Sequence, residues 1–175
     1  MPEFVPAVRD TFYGYGTFDV TDTTTLTDAI TVSLLANPEA GTFYRLIVGG
    51  QYLNNTGSNK TLRLEMAFGG SAVYTATTGN LASNANTRSF KAEAHLFIPS
   101  ASSQRLVTEA VVANTATADG TATWANNNPR YLGERAVSVD MTSAQNLVMR
   151  FAHSAIAGGF TVSISGNYRV ERIVP

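Results

Sequence analysis

The amino-acid sequence predicts an all-β protein: a single-domain antiparallel β-sandwich with jelly-roll strand order and an extended N-terminal arm. Apolar residues recur at every second position in several long segments, which is the spacing of strands that bury one face. Gly, Asn, Ser and Pro, the residues favoured in turns, separate these segments. No segment has the periodicity of an amphipathic helix. The 175 residues are enough for one domain with a hydrophobic core.

The N-terminal region is predicted to be an arm over residues 1–24, followed by the sandwich domain over residues 25–175. Pro2 and Pro6 favour an extended chain that donates few backbone hydrogen bonds. Aromatic side chains are dense here: Phe4, Phe12, Tyr13, Tyr15 and Phe18. Two interpretations remain open. Either residues 12–20 form a first strand whose aromatic side chains cap the sandwich, or the arm packs on a neighbouring subunit.

The clearest strand pattern lies at residues 41–70. In its second half, four large apolar side chains occupy every second position: Leu62, Leu64, Met66 and Phe68. The positions between them are Thr61, Arg63, Glu65 and Ala67. In its first half a second apolar set shares one face: Tyr44, Leu46, Val48 and Tyr52. Phe43 and Ile47 on the opposite face indicate that this face is also partly covered. Residues 54–60 have turn composition, so we expect an antiparallel hairpin.

The remaining segments complete a prediction of eight to ten strands. Further strands are expected at residues 25–36, 71–77, 88–99, 106–113, 136–141, 146–153 and 160–174. A polar loop is expected at residues 78–87, and a long loop at 114–134. Strand lengths and long cross-connections favour a jelly roll, and the cysteine and tryptophan signature of an immunoglobulin domain is absent.

The composition argues against several classes of function. Charged residues make up 14% of the chain, against roughly 25% in ordinary soluble domains, which hints at surfaces covered by other subunits. The net charge is −1 and no basic run occurs, so a nucleic-acid partner is not expected. No segment predicts a signal peptide or a membrane span. We therefore expect a protein made in the cytoplasm, with no membrane partner.

The sequence offers no recognisable catalytic or metal-binding motif. Without cysteine there is no thiolate ligand or thiol nucleophile, and His95 and His153 lack the spacing of a zinc site. No catalytic residue, metal or cofactor is therefore predicted. A carboxylate pair for a hydrolase remains an open alternative, drawn from Asp19, Asp28, Glu65, Glu93, Glu109, Asp119, Asp140 and Glu171.

The long loop contains a cluster suited to binding. Trp124 is followed by three asparagines at 126–128 and then by Arg130 and Tyr131. Trp, Tyr and Arg are enriched in interface hot spots, so one interpretation is a contact with a subunit or capsid. Another is a glycan site formed by Trp124, Asn127 and Tyr131. A third is that Trp124 and Tyr131 pin the loop to the sandwich.

Three stretches carry a resemblance to a known class: LLANPEAGTFYRLIVGGQYLNNTGSNKTLRLEMAFGG, a later Pro-Ser break, and the closing TVSISGNYRVERI. From residue 30 to 173 the chain resembles small jelly-roll virion proteins of tailed bacteriophages, above all head decoration (cement) proteins. The resemblance implies a homotrimer on the outside of a capsid, bound to the major capsid protein and stabilising the head. Similar jelly rolls occur in phage tails and receptor-binding tips, so a module for a host glycan is the alternative.

The candidate contacts with another subunit or the capsid therefore lie in two regions of the sequence. They are Phe4, Phe12, Tyr13, Tyr15, Trp124, Arg130 and Tyr131.

Overall fold

A computed structural model describes residues 14–113, 130–156 and 162–175. Within these ranges the chain forms ten β-strands and no helix, which confirms the all-β prediction. The strands are β1 Gly14–Thr21, β2 Thr27–Leu34, β3 Thr42–Asn54, β4 Leu62–Phe68, β5 Ser71–Thr77, β6 Asn84–Ser100, β7 Ser103–Val112, β8 Arg130–Val137, β9 Gln145–His153 and β10 Val162–Ile173.

The strands form two antiparallel sheets with the topology of a jelly roll. The six-stranded sheet has the order β1-β10-β3-β6-β7-β8, and the four-stranded sheet has the order β2-β9-β4-β5. Strands from the two ends of the chain pair in nested fashion: β1 with β10, β2 with β9, β3 with β6 and β4 with β5. This is the eight-stranded jelly roll. Strands β7 and β8 are an addition between β6 and β9 that widens the larger sheet.

The core lies between the two sheets and contains the predicted apolar faces. All four apolar side chains predicted on one face of β3 are buried, and so are the four of β4. Three aromatic rings join the sheets: Phe18 from β1 stacks on Phe151 from β9 at 5.6 Å, and Phe90 from β6 meets Phe151 edge-on at 5.8 Å. Because each large apolar side chain contributes roughly 1.5–3 kcal/mol when buried, these contacts hold the layers together.

At one position in the six-stranded sheet, β3 and β10 pair two glycines. Gly50 lies opposite Gly166. A Cβ added to Gly50 would lie 2.0 Å from the carbonyl oxygen of Ser165, so no other residue fits without moving the backbone. A Cβ added to the neighbouring Gly49 would meet no atom within 4 Å.

The predicted hairpin at residues 41–70 is wrong, although both of its strands are present. Strand β3 pairs with β10 and β6, whereas β4 pairs with β5 and β9 in the other sheet. The connection between them crosses the sandwich. Asn54 anchors its start by donating hydrogen bonds to the carbonyl oxygens of Ser58 at 2.9 Å and Leu81 at 2.8 Å.

Three predicted boundaries also need correction. The loop predicted at 114–134 ends earlier, because residues 130–134 belong to β8 and pair with β7. Residues 138–141, predicted as strand, follow the end of β8 and are not strand. Strand β6 begins at Asn84, inside the predicted polar loop. In β8 the charges of Glu134 and Arg135 obscure the alternation, as is common in edge strands.

Part of the predicted arm is an ordered strand. Residues 14–21 form β1, which pairs with β10 at the edge of the six-stranded sheet. The first strand predicted from the sequence covered residues 12–20, of which residues 12 and 13 lie outside the described part of the chain. Residues 1–13 lie outside the described part of the chain.

Candidate interaction surface

The structure places the backbones of three predicted contact residues. Tyr15 pairs with Arg169 at one edge of the six-stranded sheet, and Arg130 and Tyr131 begin β8 at the other edge. Five strand spacings of roughly 4.8 Å put these edges about 24 Å apart. These three residues therefore do not form one patch on a single molecule. Phe4, Phe12, Tyr13, Trp124 and Asn127 lie outside the described residues.

Between those edges, the outer face of the six-stranded sheet carries an apolar row. Ile173 of β10 lies opposite Phe43 of β3, which lies opposite Phe97 of β6. All three are on the face away from the core. Phe97 is 41% exposed and Ile173 is 36% exposed, while Phe43 is half-buried. We call these three residues the outer apolar row.

Beside this row, Glu93 of β6 is the centre of an ionic network. Its carboxylate accepts hydrogen bonds from Arg45 Nη2 at 2.9 Å, from His95 Nε2 at 2.9 Å and from Lys91. The His95 ring also packs edge-on against Phe43, with ring centroids 5.6 Å apart. The charged groups and the apolar row therefore form one continuous surface.

The network extends across β3 to β10. Arg45 Nη1 lies 3.8 Å from Glu171 Oε2, and Arg169 Nη2 lies 2.9 Å from Glu171 Oε1. Two carboxylates and three cationic side chains of Lys and Arg are thus paired with one another on this face. Such a surface can be covered by a partner that brings no opposite charge of its own.

The environment of Glu93 favours its ionised form. Burial on its own would raise the pKa of this carboxyl group, but hydrogen bonds from Lys91, His95 and Arg45 outweigh that effect. Together they lower the pKa of Glu93 to about 2. A general acid for glycoside cleavage needs the opposite shift, so Glu93 is suited to pairing charges rather than to donating a proton.

A second arginine-bridged carboxylate pair lies on the outer face of the four-stranded sheet. Arg150 Nε donates to Asp28 Oδ1 at 2.5 Å, and Arg150 Nη1 donates to Glu65 Oε1 at 3.1 Å. Like the pair bridged by Arg45, this one lies on a sheet face with an arginine between the carboxylates. Within residues 14–113, 130–156 and 162–175, no three His, Asp or Glu side chains are grouped as metal ligands.

The two histidines have different surroundings. His95 belongs to the ionic network described above, whereas His153 is buried at the end of β9. Burial lowers the pKa of His153, and its Nε2 lies 3.4 Å from the carbonyl oxygen of Val20.

Sequence reasoning missed Phe97 and Ile173, although one signal was available. Phe97 falls in phase with Lys91, Glu93 and His95, which is the polar face of β6. A large aromatic residue in a polar phase indicates a second covered face. Pairing it with Ile173 required the strand order, which is not visible in the local pattern.

The strand order defines the protein as a jelly-roll β-sandwich. The sequence matches no protein-family model and no curated protein. Similar solved structures include the insecticidal delta-endotoxin Cry8Ea1 of Bacillus thuringiensis, at 14% identity and a TM-score of 0.39 over 90% of this chain. This chain spans 19% of that protein's length.

Two other similar structures come from viruses. One is the CBM2 module of the evolved Dit of Lactobacillus casei BL23 phage J-1, at 9% identity and a TM-score of 0.38, covering 83% of this chain and 69% of that one. The other is the VP2 subviral particle of infectious bursal disease virus, at 9% identity and a TM-score of 0.39, covering 99% of this chain and 36% of that one. Likeness at this level carries no functional information.

In the described part of the chain, no helix is long and apolar enough to cross a membrane.

Proposed function

We propose that this protein is a non-enzymatic structural component of a phage virion, a homotrimeric decoration protein that binds the major capsid protein on the outside of the head. The resemblance of residues 30–173 to such proteins motivates the proposal. The observation that carries it is the outer face of the six-stranded sheet, where the outer apolar row adjoins a self-paired ionic network.

The proposed occupant of this face is a second copy of the chain. Arg45, Lys91 and Arg169 are already paired with Glu93 and Glu171, so the next copy does not have to supply a partner for each of these charges. Partial burial of Glu93 also means that part of its desolvation cost is already met within the monomer. The face therefore suits self-association.

The size of the face is also adequate. Six strands about 4.8 Å apart, each contributing roughly eight residues at about 3.3 Å, give a face of about 700 Å². A standard stable interface buries about 800 Å² on each partner. If this face contacts a different surface of the next copy, the contact is heterologous and can close into a three-membered ring.

Light scattering over a dilution series tests the proposal with three proteins. The wild type is expected to have the mass of a trimer. Phe97→Glu places a charge within the outer apolar row and is expected to dissociate the trimer. Leu35→Glu is the matched control, because Leu35 is 57% exposed and follows β2 in the other sheet; it should leave the trimer intact.

Two results would contradict the proposed assembly: a wild-type monomer at every concentration, or a trimer that Phe97→Glu does not weaken. Attachment to the head is tested separately by cosedimentation with capsids of the encoding phage. A trimer that fails to sediment with those capsids would exclude the decoration role while retaining the interface.

A further inference from the structure

One end of the sandwich contains a buried arginine that lacks an anionic partner. Arg88 of β6 is 3% exposed and points into the interior. Its Nη2 donates a hydrogen bond to the carbonyl oxygen of Ala82 at 2.8 Å. Its Nε and Nη1 have no hydrogen-bond partner in the described structure. Burying a cation without an anion is costly, so this arrangement indicates a missing partner.

Tyr52 provides a second unpartnered group beside Arg88. The two residues lie opposite each other on β3 and β6 and share the inner face of the sheet. The Tyr52 hydroxyl is fully buried and makes no hydrogen bond to a described residue. Burial raises the pKa of Tyr52 to about 12, while the positive charge of Arg88 acts in the opposite direction. The hydroxyl therefore keeps its proton at neutral pH and can donate it in a hydrogen bond.

His153 forms another wall of the same region. Its ring centroid lies 5.9 Å from that of Tyr52. Burial lowers its pKa, while the carbonyl group of Val20 and the charge of Asp22 act in the opposite direction. Among these three side chains, the guanidinium of Arg88 is the permanently charged group.

We propose that Arg88 and Tyr52 form a binding site for a small oxyanion, either a carboxylate or a phosphate. The guanidinium supplies the charge and N–H donors, and the Tyr52 hydroxyl supplies a further donor, the combination that oxyanions accept. Both unpartnered guanidinium nitrogens are covered. The exposed part of β6 closest in sequence is its start, residues 84–86, and we place the entry of the anion there. The site is independent of the trimer interface.

The direct test is NMR of the arginine Nε–H groups in the full-length, ¹⁵N-labelled protein. Sodium acetate or sodium phosphate replaces sodium chloride at constant ionic strength and pH. The Arg88 signal is expected to shift saturably with at least one of the two anions, while the exposed Arg63 signal does not saturate. A response to acetate alone identifies a carboxylate ligand, and a response to phosphate alone identifies a phosphate ligand.

Variants assign the response to these side chains. Arg88→Met is expected to fold, since it replaces an unpaired buried charge by an apolar group, and to lose the anion-dependent rise in thermal stability. Tyr52→Phe is expected to weaken binding about tenfold, because hydrogen bonds to charged groups are the stronger ones. The proposal is overturned if neither anion shifts the Arg88 signal, or if Arg88→Met responds to the anions as the wild type does.

Discussion

Replacing Glu93 by Gln tests whether the ionic network stabilises the fold. Glu93→Gln retains the shape of the side chain and removes the charge that Arg45, Lys91 and His95 share. One pKa unit corresponds to about 1.4 kcal/mol, so lowering the pKa from 4.5 to about 2 sets an upper limit of about 3 kcal/mol. Because Lys91 is 61% exposed and Arg45 35%, solvent screening reduces the expected loss to about 1–2 kcal/mol.

The pH dependence of this effect has a definite sign. A carboxyl group whose pKa is lowered on folding stabilises the native state fully above its unfolded pKa and loses that effect as the pH falls through its folded pKa. The difference between wild type and Glu93→Gln should therefore be full at pH 7 and disappear between about pH 4.5 and pH 2.

Urea unfolding at fixed protein concentration measures both quantities. Glu134→Gln is the matched control, because its ion pair with Arg105 at 2.9 Å is exposed on both sides and should contribute less than about 0.5 kcal/mol. Equal stability of Glu93→Gln and wild type at pH 7, or a difference that persists to pH 2, would refute this account of the network.

Three further predictions concern other parts of the chain. Deleting residues 1–11 should weaken trimer formation or capsid attachment, measured by light scattering and cosedimentation; retention of both would remove the arm from the interface. Gly50→Ala should lower the free energy of unfolding by about 2 kcal/mol, because its Cβ would clash with Ser165. Gly49→Ala should leave this free energy unchanged, because its Cβ would meet no atom within 4 Å. Equal effects of the two substitutions would contradict the reasoning. On a glycan array the proposed function expects no retained glycan, whereas a glycan retained by the wild type and lost in Trp124→Ala would favour the tail-associated alternative.

The sequence predicted the strands well because their signal is local. In β4 and β6 the apolar side chains that face the core recur at every second residue, and this period is visible without knowing the partner strand. The pairing of β3 was not predictable in the same way. A turn-like connection of seven residues is compatible both with a hairpin and with a crossing to the opposite sheet. Only tertiary packing, here involving Asn54 and Leu81, distinguishes them.

The candidate surfaces were less predictable, because the type of a residue does not reveal which residues of other strands lie beside it. Arg88 is in phase with Phe90 and the other buried residues of β6, so a charged residue in an apolar phase was a visible signal of an unusual site. Identifying Tyr52 as its neighbour required the register of two strands distant in sequence. The predicted contacts in the arm and the long loop were chosen by residue type, and that choice carries no information about where they lie on the sheet.

The nested topology also constrains when the protein can fold during its synthesis. Strand β10 lies between β1 and β3, so β1 has no ladder partner until residues 162–173 have been made. At translation rates of roughly 5–20 residues per second, the time between the synthesis of β1 and that of β10 is on the order of 7–30 s. Meanwhile the growing chain exposes unpaired strand edges, which favour association with other chains. Nascent chains that are close together, as on one polysome, are therefore exposed to mispairing until the C-terminal strand is inserted.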